Sequence, residues 1–154
     1  MKSLGLTNKY IEKLLSQYSS SFKGVFSCNT LPIIHGDFTL ISNLSKDTEP
    51  GTHFITIIVK NGQVYYFDPI GLPCINKNIK TYLNYYSKQH FYNQIQYQCW
   101  DSIFCGFYCI LFILLHDLKF SISHFKKLFS INCKENDTTV IQLIKYILSE
   151  YNMK

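Results

Sequence analysis

Apolar residues recur along the chain with two different periods. Behind Thr7, a natural N-cap, Tyr10, Ile11, Leu14, Leu15 and Tyr18 fall on one helical face, predicting a helix to about Tyr18. Residues 20–50 are mixed, with a strand expected over Asp37–Ser42 and a loop at Lys46–Gly51. His53–Lys60 is rich in β-branched residues, Asn61-Gly62 is a hairpin turn signal, and Gln63–Asp68 reads as the returning strand. Residues 77–89 return to helical spacing, with Ile79, Tyr82, Leu83 and Tyr86 on one side. Phe91–Gln98 reads as a strand. Phe104–His116 reads as a buried helix and Ser121–Phe129 as a short amphipathic one. A last helix is expected from Asp137 or Thr138, burying Val140, Ile141, Ile144, Leu148 and Tyr151. This order predicts an α+β fold, an antiparallel sheet packed by helices, in a single domain spanning 1–154.

The 154 residues suffice for one core, and 47% hydrophobic against 16% charged content excludes a disordered chain. The longest uncharged apolar run, Ser102–Leu115, is too short to span a bilayer. Met1-Lys2-Ser3-Leu4-Gly5 lacks a signal-peptide core, so an intracellular, soluble protein without membrane association is expected. All 15 basic side chains are Lys, and Ala is absent too. Neither absence has a physical cause, and the residues used instead have AT-rich codons. The net charge of +5 permits weak attraction to nucleic acid, but the lysines are scattered, and without Arg there are no bidentate phosphate contacts.

Six cysteines occur, at 28, 74, 99, 105, 109 and 133. Without a secretory signal a disulfide framework is not expected, and no C-x-x-C pair suggests zinc. Most therefore read as buried thiols.

Chemistry enters through the hairpin. A two-residue loop at Asn61-Gly62 puts Lys60 opposite Gln63 and Ile55 opposite Asp68. His53 shares the face of Ile55, so His53 and Asp68 become diagonal neighbours at the hairpin's open end. The Asp can fix the imidazole tautomer and stabilise its charge; a surface hydrogen bond without chemistry fits the same pattern. In the stretch from Gln98 to Cys109, Cys105 lies at a helix start, where free N–H groups favour an anion. A thiolate there, beside an imidazolium, is a nucleophile. Gly106 allows close approach, and Gln98 with the Cys105 N–H can hold an oxyanion. Packing at Cys105-Gly106 and capping by Gln98 are the plain alternatives. Asp101 and Ser102 read as helix caps, Cys99 as structural and Cys109 as core. His35, His90 and His124 read as exposed or locally satisfied, and His116 as a helix-end residue.

Three blocks, in order, resemble the adenovirus maturation protease family (adenain), with its relatives in virophages and Polinton/Maverick transposons. Gly51-Thr52-His53-Phe54 is similar to the block of the catalytic His, with Phe54 where the family usually has Trp. Tyr66-Phe67-Asp68-Pro69-Ile70-Gly71 is similar to the block of the catalytic acid. Gln98 through Gly106 is similar to the Gln-to-nucleophile block. The match covers roughly residues 50–116, and the virophage/Polinton-like branch suits the composition best. It implies a papain-like fold in permuted order, with the central helix starting at the nucleophile. The implied catalytic set is His53, Asp68, Gln98 and Cys105. It further implies an endopeptidase that cleaves viral capsid precursors during virion maturation, in the virion and the host cytoplasm or nucleus, as a monomer.

The same resemblance raises DNA and a viral peptide as activators. The region around Ser87 and His90 carries no Cys, so a disulfide tether for such a peptide has no anchor there. Two other functions stay open: removal of SUMO or ubiquitin-like proteins by the same residues, and a non-catalytic basic DNA-binding virion protein.

Overall fold

The computed structural model describes residues 5–154, so the targeting reading of residues 1–4 lies outside the described residues. The elements are α1 (Asn8–Tyr18), β1 (Phe22–Ser27), β2 (Phe38–Asn43), β3 (Phe54–Lys60), β4 (Gln63–Phe67), α2 (Lys77–Tyr86), β5 (His90–Tyr92), α3 (Cys105–Asp117), α4 (Ile122–Lys127) and α5 (Cys133–Asn152). The five strands form one sheet in the order β1-β2-β3-β4-β5.

The hairpin sets the sheet. Asn61 and Gly62 both have positive φ, 51° and 73°, the geometry of a two-residue turn that matches strand twist. Lys60 therefore pairs with Gln63, Val59 with Val64 and Ile57 with Tyr66, the expected register. β3 is buried on both faces except at Lys60. On one face Ile55, Ile57, Val59, Val64 and Tyr66 pack with Phe38, Leu40 and the Ile79, Tyr82 and Leu83 side of α2. On the other, Ile41, Ile58 and Phe67 meet α3 together with α1 and α5. α3 is buried around most of its circumference, which identifies it as the central helix.

The sheet is mixed rather than antiparallel throughout. β2, β3 and β4 are antiparallel, while the outer pairs β1–β2 and β4–β5 are parallel. The link between β4 and β5 contains α2, a crossover that returns the chain in the same direction. β1 was hidden in the mixed stretch because Gly24 (φ 141°) and a register shift between Phe22 and Val25 break its alternation. β5 stops at Tyr92, short of the expected Phe91–Gln98 strand, because Asn93 turns to bond the main chain of Asp68. α5 starts four residues early, at Cys133, because the Asn132 side chain accepts from the N–H of Lys134 at 3.2 Å. No helix of the described residues is long and apolar enough to cross a membrane.

Candidate active site

His53 immediately precedes β3 and Asp68 immediately follows β4, so the hairpin register brings them together. His53 Nε2 lies 2.8 Å from Asp68 Oδ1, and Asp68 is buried. The same Oδ1 accepts the N–H of Ile70 at 2.8 Å, which holds the carboxylate against its own turn. The Asp68 N–H donates to Asn93 Oδ1 at 2.8 Å, and Asn93 Nδ2 donates back to the Asp68 carbonyl. Asn93 thus fixes the Asp68 backbone from both sides.

The turn continues through Pro69 to Gly71, whose N–H donates to the Asp68 carbonyl at 2.8 Å. Gly71 has φ 85°, and a Cβ there would lie 2.6 Å from the backbone of Ile95, so the position requires glycine on both counts. The Pro69 carbonyl accepts the N–H groups of Tyr97 (2.9 Å) and Gln98 (3.0 Å). The Asp68 turn and the segment leading to Cys105 are therefore one hydrogen-bonded unit.

Cys105 is the first residue of α3, and no side chain caps that helix. Its side chain lines the same cleft as the His53 ring. Burial disfavours a charged His53, but the hydrogen bonds and charges of Asp68 and Cys105 outweigh it and raise the ring's pKa from 6.5 to about 9. Because Asp68 occupies Nε2, Nδ1 is the nitrogen left for the sulfur.

Gln98 lies almost fully buried beneath the loop that leads to Cys105. Its Nε2 donates to the Ser102 carbonyl at 2.8 Å, and its Oε1 has no partner among the described residues. One Nε2 hydrogen is therefore used within the loop and the second is left over. His53 and Cys105 line a cleft of about 350 Å³, with Leu6, Asn43, Gly51 and Ile103 among its other walls.

The start of α5 clamps this loop, a feature without a sequence motif. Asp137 accepts Ser102 Oγ and Tyr108 OH, both at 2.8 Å. Buried Asn136 donates to the carbonyls of Tyr97 and Ser130, both at 2.9 Å. Asp137 therefore sits inside the first turns of α5 as a bridge, rather than opening the helix. Cys99 and Cys133 form a disulfide across the same junction, with Cα atoms 5.2 Å apart. This corrects the expectation of six unpaired thiols. The two cysteines are 34 residues apart and meet only because α5 packs beside the loop. Cys28, Cys74 and Cys109 are free and buried, as expected of core thiols.

The remaining histidines lie elsewhere. His35 is exposed. His90 pairs with Asn84 and His124 with Ser121. His116 is held below its ordinary pKa, first by burial. Its neighbour Asp117 turns to Ser19 and Ser21 instead.

No protein-family model matches this chain, and no curated protein matches it either. Among solved structures it is similar to the ASFV pS273R protease, with a TM-score of 0.55 and 16% identity over 88% of this chain and 66% of the other. The chain shares the fold of that protein. A selenomethionine structure of the same ASFV protein gives a TM-score of 0.48 at 17% identity, with the same coverage. This chain spans just under two thirds of that protease's length.

Proposed function

We propose that the chain is a cysteine endopeptidase acting on viral capsid or scaffold precursors during virion maturation. The observation that carries this reading is the position of His53, bonded to buried Asp68 through Nε2 and lining one cleft with Cys105 at the start of α3. The protease fold is consistent with it.

In this mechanism the Cys105 thiol gives its proton to His53, and the thiolate attacks the scissile carbonyl carbon, forming the S–C bond while the carbonyl oxygen becomes an oxyanion. The Cys105 N–H, at the uncapped start of α3, and the second Nε2 hydrogen of Gln98 stabilise that charge. His53 gives its proton to the departing amine as the C–N bond breaks. It then takes a proton from the water that attacks the thioester, the S–C bond breaks to release the acid, and the Cys105 thiolate and protonated His53 are restored. Asp68 keeps the ring oriented and stabilises its cationic form.

The test is co-expression with a capsid precursor. Wild type should process it and Cys105→Ala should not. Unchanged processing by Cys105→Ala would reject the assignment. SUMO- and ubiquitin-fusion substrates run in parallel should remain intact; their cleavage in place of the precursor would move the substrate to ubiquitin-like tails.

A further inference from the structure

Asn43 is the last residue of β2 and pairs in register with Phe54, next to His53. It is only 6% exposed. Its Oδ1 accepts two main-chain N–H groups, from Ser45 at 2.9 Å and Thr52 at 3.2 Å. Those two donors settle which end of the amide is oxygen. The other end, Nδ2, has no hydrogen-bond partner among the described residues. The side chain is mostly buried but Nδ2 itself keeps access to solvent, and a free, fixed donor at a cleft wall suits a ligand.

The local chain keeps that donor uncovered. Asn43 lines the same cleft as His53 and Cys105, and Gly51 lies directly against Nδ2. A Cβ on Gly51 would be 2.7 Å from Nδ2, well inside contact distance. Glycine is thus the residue that leaves the amide open to the cleft.

We propose that Asn43 Nδ2 is a substrate-binding donor that takes a main-chain carbonyl of an extended polypeptide lying across Gly51 toward Cys105. The chemistry favours a neutral peptide carbonyl over an anion. The donor is an uncharged amide, and no Lys is among the described residues that line the cleft. A bare glycine on the wall lets a backbone approach closely, whatever side chains the polypeptide carries. This inference rests on the protease reading and adds a recognition element to it, one that grips the substrate's backbone rather than a particular side chain.

Two variants test it. Asn43→Asp keeps the shape and the acceptor for Ser45 and Thr52 but replaces the donor with an acceptor. Gly51→Ala retains the Asn43 amide but sets a methyl group inside contact distance of Nδ2, which must shift away from the cleft to admit it. Each should lower kcat/KM for the capsid precursor about 10- to 100-fold, mainly through KM. Methyl methanethiosulfonate, which has no carbonyl, should still modify Cys105 within about threefold of the wild-type rate. Unchanged kcat/KM in both variants would overturn the proposal. So would a parallel loss of thiol reactivity, because Asn43 would then act only by holding the His53 segment. A wild-type Cys105 inert to the reagent would instead reject the protease reading itself.

Discussion

Ser102 Oγ donates to Asp137 Oδ2 at 2.8 Å across 35 residues of chain, tying the loop before Cys105 to the first turns of α5. The other carboxylate oxygen takes Tyr108 OH, one turn into α3. One side chain thus braces both sides of Cys105. Asp137→Ala leaves two hydroxyls without their acceptor and should destabilise the fold by about 1–3 kcal/mol. Denaturant unfolding measures this, and a midpoint equal to wild type would show that the bridge contributes nothing.

The Cys99–Cys133 disulfide closes a loop of 34 residues at the same junction. In the chain-entropy view a cross-link of that span stabilises by roughly 3–4 kcal/mol. Cys99→Ser should lower the denaturation midpoint by a corresponding amount, and adding a reductant should then have little further effect on stability. Intact-mass analysis of the wild type should show two fewer thiols available for alkylation than its six cysteines, rising to six after reduction. Six alkylated thiols without reduction would contradict the bond.

His53 carries a pH dependence of defined sign. The folded ring binds its proton more tightly than the unfolded one, with a pKa of about 9 against 6.5. Its contribution to stability is therefore complete below about pH 6.5 and is lost as pH rises through about 9. Denaturant midpoints between pH 6 and pH 10 should fall across that window in wild type and fall less in His53→Ala. A wild-type midpoint that rises over the window would contradict the charged ring.

The hairpin could be read from the sequence because its signals are local. Asn61-Gly62 fixes the turn, the turn fixes the register, and the register puts His53 beside Asp68. The start of α3 at Cys105 was legible in the same way, as a switch from polar to continuously apolar residues. The bracing was not. Nothing local separates buried Asn93 and Asn136 from surface asparagines, and each acts on chain more than 20 residues away. The disulfide depends on where α5 docks, which no spacing encodes. β1 was concealed by Gly24 and exposed Lys23, and β5 was overextended because Asn93 leaves the sheet edge to serve the acid turn.

The central claim is that His53 activates Cys105, and the iodoacetamide alkylation rate at each cysteine, mapped by mass spectrometry at neutral pH, tests it most directly. Cys105 should react faster than Cys28 and Cys74, and His53→Ala should slow it by about tenfold or more. If Cys105 reacts no faster than those core thiols, or if its rate survives His53→Ala unchanged, the pair is a structural contact and the account is wrong.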